Sequence, residues 1–263
     1  MALNTMNNIA IVGMGAVGKS MLKIFPDAVQ FDEPLKIGTK KKVNECELAV
    51  VCVPTPTGED GRCNTKIVES VVEWIKCPLI LIKSAVEPRT TDKLREKYDK
   101  HIVVSPEYIG ESAYFIPDRF LAKDDPLKHE FLILGGTDED CLAVADIFAP
   151  RVGPVTRIRI MKSVEAELIK YAENAFFAVK VSYANELREL CDAMGANWHR
   201  VREGWIDDPR VGTMHTAVFP KKRGFDGKCY PKDTLALAKT GDLFGVDMCV
   251  VKGALKANTK YVK

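Results

Sequence analysis

Histidine is scarce in this chain, at four of 263 residues, and its eight cysteines include no C-x-x-C pair. A zinc centre needs thiolates and imidazoles clustered at short spacing, so no metal is expected. Several of the cysteines lie inside apolar runs, where a thiol is a small hydrophobe, and a disulfide framework is not expected either. Charge of one sign is also missing. The 38 basic and 36 acidic residues leave +2, which gives no electrostatic reason to expect nucleic acid or an anionic membrane as partner. The basic runs Lys40-Lys41-Lys42 and Lys221-Lys222-Arg223 are short and read as solvated loops. No apolar run approaches the ~18 residues of a membrane span, and the opening MALNTMNN lacks the charged start and apolar stretch of a signal peptide. A soluble, cytoplasmic protein without repeats or low-complexity segments is the expectation.

What the chain does contain is order in its apolar residues, which make up 46% of it. The runs IAIV (9 to 12), AVQF (28 to 31), LAVVCV (48 to 53), LILI (79 to 82), IVV (102 to 104) and FLIL (131 to 134) are continuous, as in strands buried on both faces. Helix candidates lie between them at 16–25, 65–76, 90–98 and 138–148. This alternation predicts an α/β domain over residues 1–157, with a doubly wound parallel sheet whose crevice opens at the carboxyl ends of the strands. From Met161 to Met194 apolar residues recur every three to four positions without proline or glycine, which predicts one long helix. That helix belongs to a mainly helical second domain, 158–263, with further helices at about 197–203 and 231–263 around a Gly-, Pro- and Lys-rich loop.

The stretch GMGAVGKS, 13 to 20, spells two motifs. Gly13, Gly15 and Gly18 give the dinucleotide turn G-x-G-x-x-G, while Gly13 to Ser20 also fits the phosphate loop G-x-x-x-x-G-K-S. A triphosphatase needs an acid at the end of a later strand to hold magnesium. Here the later strands run into Pro54-Thr55, Lys83-Ser84, Ser105-Pro106 and Gly135-Gly136. The dinucleotide reading asks for an acid about 20 residues on, at the end of the second strand, and Asp32 stands there. An acid at that point also repels a 2′-phosphate. The sheet is therefore read as Rossmann-like and NAD as the cofactor, with Lys19 and Ser20 in the first turn of the helix, on its surface or near the pyrophosphate.

Four more motifs follow in order: VPTP (53 to 56) with Asp60-Gly61, KSAVEPRTT (83 to 91), SPEYIGES (105 to 112) and GFDGKCYPKD (224 to 233), besides the helical ELIKYAENAFFAVKVSYANEL (167 to 187). Together with the glycine turn they resemble the UDP-glucose/GDP-mannose dehydrogenase family, from residue 9 to about 258. The resemblance implies NAD-dependent oxidation of a nucleotide sugar's C6 alcohol to a carboxylate, by way of a cysteine thiohemiacetal and thioester. It places Cys229 as the nucleophile, Lys170 and Asn174 at the reacting oxygen, and Asp233 as the carboxylate working with the lysine. Glu107 and Glu111 line the sugar site, the second as base for thioester hydrolysis. Gly13, Gly15, Ala16, Val17, Gly18, Asp32, Val53, Pro54, Thr55 and Ser84 would hold NAD. Glu107, Tyr108, Lys170, Asn174, Arg210, Gly224 and Phe225 would meet the substrate, and a homodimer is implied.

The residues give this independent support. Cys229 lies in a Gly- and Lys-rich loop just before a helix starting near Pro231, and both a helix N-terminus and cations favour thiolate. Lys170 and Asn174 are four apart and share a helix face, so both can donate to a developing alkoxide. Taken singly, an inert thiol, a snorkelling lysine and solvated strand-end glutamates remain ordinary readings.

Four departures stand out. Ala85 occupies a position where the family has a threonine that holds a catalytic water, which leaves Ser84 as the neighbouring hydroxyl. Asp226 replaces a glycine beside the nucleophile. The chain is also expected to lack the family's second α/β domain, as a cut or a natural minimal form, and the segment between Asp32 and LAVVCV is short. Two other functions fit the same elements: a single-hydride hydroxy-acid dehydrogenase, and a catalytically impaired NAD-binding module.

Overall fold

The computed structural model describes residues 8–109 and 125–262. It divides into two compact units, one running to Pro56 and resuming over Asn64–Lys170, the other holding Thr57–Cys63 and the chain from Tyr171 on.

The first unit is built on seven strands: β1 (Ile9–Val12), β2 (Val29–Phe31), β3 (Leu48–Val51), β4 (Leu79–Ile82), β5 (Ile102–Val104), β6 (Phe131–Gly135) and β7 (Arg157–Met161). Their order is β2-β1-β3-β4-β5-β6-β7. Residues of alternate parity face opposite sides. Ala10, Val12, Ala49, Val51, Ile80 and Ile82 pack with Val68, Val72 and Leu94 from α3 (Lys66–Trp74) and α4 (Thr90–Tyr98). Ile9, Ile11, Leu48, Val50, Leu79 and Leu81 pack with Met21 of α1 (Ala16–Met21) and with Val144 and Phe148 of α5 (Asp138–Phe148). Burial on both faces is why these strands read as unbroken apolar runs. From β1 the chain crosses first to β2 on one side and then to β3 on the other, so the reversal of strand order falls beside β1.

Two features depart from an all-parallel sheet ending near residue 157. β6 meets β5 antiparallel, through Val104 and Gly135, while the other pairings are parallel. The edge strand β7 alternates Arg and Ile and is largely solvent-exposed, so it offers no apolar run to recognise. The lysine run at 40–42 is not loop but forms α2 (Lys40–Val43), capped by the Thr39 hydroxyl.

One long helix, α6 (Ser163–Met194), begins in the first unit and continues in the second. Its Ala166 joins the sheet core. In the second unit Tyr171 and Ala175 pack with Cys63, Ala236, Leu237 and Val251, and further along Ala184 and Cys191 pack with Trp198 and Val218. The helices there are α7 (Trp198–Ile206), α8 (Tyr230–Leu243) and α9 (Cys249–Asn258). The helical stretch predicted over 231–263 is made of two helices, separated where Gly245 adopts a left-handed φ of +69°.

Candidate functional site: a dinucleotide crevice and a cysteine loop

In the first unit the glycine turn joins β1 to α1. Gly13 has φ +96°, and a Cβ there would lie 2.6 Å from the Cys52 carbonyl oxygen; one on Gly18 would lie 1.9 Å from that of Gly13. These two glycines let β1, β3 and α1 approach. A Cβ on Gly15 would meet nothing within 4 Å, so the start of α1 faces open space with its orphan N–H groups. Asp32, at the end of β2, accepts from Met14 N (2.8 Å) and Leu35 N (3.0 Å) and borders an open hollow with Phe31, Lys36 and Ile37. A carboxylate tied to the glycine turn beside a hollow is the arrangement that receives an adenosine ribose. Ser20 is not on the helix surface as expected but buried, and it decides against the phosphate-loop spelling, because its hydroxyl donates to Val17 O at 2.7 Å rather than facing a ligand. Lys19 points to solvent.

The ends of β3 and β4 are stitched reciprocally. Thr55 Oγ1 donates to Ala85 O (2.8 Å) and Ser84 Oγ to Val53 O (2.7 Å). The Ser84 hydroxyl is therefore directed at the backbone and does not take the place of the hydroxyl that Ala85 lacks. Pro54, between them, is exposed.

Glu107 follows β5. Its Oε1 accepts from its neighbours' Tyr108 N (2.6 Å) and Ile109 N (2.9 Å), and its Oε2 lies 3.5 Å from Lys83 Nζ. Lys83 is buried and also donates to Ser105 Oγ (3.1 Å) and Pro106 O (3.2 Å). The motif reading does not single out Lys83, since nothing in KSAVEPRTT shows that its ammonium turns inward to meet a carboxylate. Lys170 Nζ stands 4.9 Å from the centre of the Tyr108 ring, so the lysine of α6 and the SPEY segment come together. Glu111 lies outside the described residues.

In the second unit Cys229 is exposed and forms the N-cap of α8, with Pro at the helix start. Exposure alone does not distinguish it, because Cys249 is exposed at the start of α9. Its surroundings do. One turn on, Asp233 is 1% exposed, accepts from Asn174 Nδ2 at 2.6 Å and pairs with Lys232 Nζ at 2.5 Å. Asn174 is itself buried. The loop before the thiol is held by Asn258, which accepts from Phe225 N and donates to Phe225 O, both at 2.8 Å. This reciprocal pair fixes Gly224 and Phe225 through the backbone, and the Phe225 ring is buried. Asp226 turns to Lys222, 3.5 Å away. Arg210 is exposed and forks onto Asp208 of its own loop, whose carboxyl that guanidinium holds below its usual range.

The first unit is thus a Rossmann-type dinucleotide-binding domain, and the second a helical unit carrying an amide, a carboxylate and an exposed thiol. Residues 27–150 match the UDP-glucose/GDP-mannose dehydrogenase family's NAD binding domain and residues 164–260 its central domain. The UDP-glucose 6-dehydrogenase of Rickettsia typhi is 29% identical over 219 residues, 79% of this chain and 48% of that protein. The corresponding enzyme of Haloferax volcanii is 30% identical over 239 residues, 82% of this chain and 53% of its own length. A UDP-glucose dehydrogenase structure from Pyrobaculum islandicum superposes over 99% of this chain and 70% of that one, with TM-score 0.82 at 24% identity. The chain belongs to the UDP-glucose/GDP-mannose dehydrogenase family, and NAD is its cofactor. It spans about half the length of the curated relatives it matches. Among the described residues no helix is long and apolar enough to cross a membrane.

Proposed function

We propose that the chain carries the catalytic apparatus of a nucleotide-sugar 6-dehydrogenase, oxidising a primary alcohol of a UDP-glucose-like substrate to the carboxylate with Cys229 as covalent nucleophile. The observation that carries the reading is the Asn174–Asp233 hydrogen bond, which joins the long helix to the turn that follows Cys229.

NAD supplies the hydride acceptor, one for each of the two oxidation levels. The residues supply the rest. Asp233, buried and paired with Lys232, and Lys170, on the same helix as Asn174, take the alcohol proton as the aldehyde forms. The Cys229 thiolate adds to the aldehyde carbon, and Asn174 with Lys170 donates to the oxygen on which charge develops. After the second oxidation a thioester links the sugar to Cys229. Water adds to it, the C–S bond breaks, the thiolate leaves and the acid is released. Glu107, and Glu111 outside the described residues, serve as carboxylates at that step. With alanine at 85 and the Ser84 hydroxyl engaged by Val53 O, no side-chain hydroxyl at 84–85 is directed to that water. Thioester hydrolysis is then the slow step.

Incubation with NAD and UDP-glucose, GDP-mannose or UDP-N-acetylmannosamine tests the reading, with two NADH expected per acid formed. A folded chain that reduces NAD with none of them would refute it, and so would acid formation undiminished in Cys229→Ser. One NADH per substrate, indifferent to cysteine loss, would indicate the hydroxy-acid alternative. We also assign the exposed stripe of Phe176, Tyr183, Leu190 and Met194 on α6 to a second copy of the chain, because side chains this apolar recur at one face of the helix. Phe176→Glu with Leu190→Glu should yield a monomer by sedimentation.

A further inference from the structure

We infer that His215 is a positioning residue for Cys229: stacked on Phe177 and hydrogen-bonded to Tyr230, it fixes the first turn of α8 from which the thiol projects. The inference rests on the assignment of Cys229 as nucleophile, but its test reads the thiol without substrate.

His215 takes a left-handed φ of +61°, a conformation that costs a β-substituted residue energy and persists only where surroundings enforce it. The enforcement is visible. Its ring lies flat on Phe177 of α6, centroids 4.2 Å apart at 13°, and Nε2 is 2.8 Å from Tyr230 Oη. Nδ1 is buried with no hydrogen-bond partner among the described residues, so Phe177 and Tyr230 set the ring's orientation. The segment around it is anchored as well: Lys180 Nζ donates to Val211 O (3.1 Å), Arg202 Nε to Thr216 Oγ1 (3.1 Å) and Thr216 Oγ1 to Thr213 O (2.8 Å).

Tyr230 is the residue after Cys229 and the first of α8. The Cys229 side chain does not cap that helix, and Pro231 brings no N–H, so the first turn relies on tertiary ties. There are two on α6: Tyr230 through His215 to Phe177, and Asp233 to Asn174. The thiol sits at their common end. The charges that bear on the pair are Lys180 on the imidazole, and Glu173 and Cys229 itself on the phenol. Burial pushes His215 down to about 4 and Tyr230 up to about 12, so the contact stays a neutral hydrogen bond at the pH where a thiol titrates.

The full chain carrying Cys249→Ser, which removes the other exposed thiol, is alkylated with iodoacetamide between pH 6 and 9 and modification of Cys229 is followed by peptide mass. Tyr230→Phe keeps the ring and deletes only the hydroxyl, while His215→Ala deletes stack and hydrogen-bond partner together. Each should lower the rate at pH 7 about threefold and raise the pH midpoint by about half a unit, the size of effect that a helix N-terminus exerts on a charge. The double variant should be no slower than His215→Ala, and His215→Gln should recover part of the rate. Midpoints unchanged in both single variants, even with lowered melting temperatures, would overturn the inference, as would effects that multiply in the double variant. Coupled alkylation in a chain that reduces no NAD would sink the dehydrogenase reading and leave the clamp standing.

Discussion

Glu167 offers a sharp test of how the NAD-binding unit is held together. It is 2% exposed at the start of α6 and reaches across 76 and 78 residues of sequence to the first turn of α4. Its carboxylate accepts from Arg89 N (2.5 Å), Thr91 N (2.8 Å) and Thr91 Oγ1 (2.6 Å). Those donors end the motif that begins at Lys83, and Glu167 precedes Lys170 by less than one turn. Burial outweighs the three donors and pushes its carboxyl up to about 7. A glutamate in the unfolded chain titrates near 4.3. The folded state therefore binds the proton more tightly, and the group favours folding fully below about pH 4 and loses that contribution as pH rises through 7. The difference corresponds to about 3 to 4 kcal/mol, or on the order of 10 °C in melting temperature for a chain of this size. Glu167→Gln cannot titrate, and its amide nitrogen faces donors, a loss of about 1–3 kcal/mol at every pH. The melting temperature of the native chain minus that of Glu167→Gln should be largest near pH 4 and shrink toward pH 8, with half of the change reached at about pH 5.7, midway between the unfolded and folded values. Calorimetry at half-unit steps measures it. A flat difference, or one that grows with pH, would refute the reasoning and show that the three donors hold the carboxylate ionised.

Gly18→Ala places a Cβ 1.9 Å from the Gly13 carbonyl, so α1 must move off the turn. Loss of NAD binding by at least about tenfold is expected in fluorescence titration, with ~1–3 kcal/mol of destabilisation. Asp32→Ser should narrow the preference for NAD over NADP about tenfold or more, since one charge repulsion in a half-exposed crevice is worth a few kcal/mol at most; an unchanged ratio would remove Asp32 from the ribose site. Lys83→Met leaves Glu107 buried without its ion pair and should cost about 3–5 kcal/mol in denaturant unfolding, whereas the double change Lys83→Met with Glu107→Gln should restore much of it.

The sheet was the legible part of the molecule. LILI and IVV coincide with β4 and β5 to the residue, because burial on both faces leaves no polar position to blur the run. Thr90–Tyr98 and Asp138–Phe148 likewise form the predicted helices, the second capped by Thr137 Oγ1. β7 fails the same criterion for the converse reason, as an exposed edge whose Ile–Arg alternation has no buried face to report. The break between α8 and α9 has a local signal in Gly245, whose left-handed φ of +69° lies between the two helices.

Site residues divide along another line. Those proposed for chemistry by type and order, such as the glycine turn, Asp32, Cys229 and the Lys170–Asn174 spacing, can be named from the chain. Those that position them cannot. Lys83 meets Glu107 over 24 residues, Asn258 holds Phe225 over 33, and Glu167 reaches Arg89 over 78. None of these pairings lies within the span of a helix turn or a strand pair, so periodicity carries no trace of them. Their partners are also mostly backbone groups, whose availability depends on a turn conformation rather than on a residue type. The Ser84 hydroxyl shows the consequence. From its position it is the obvious substitute for a hydroxyl at 85, yet the carbonyl left open at the end of β3 is nearer and claims it. A hydroxyl one residue from the position in question is thereby engaged by a backbone demand that only the folded sheet creates.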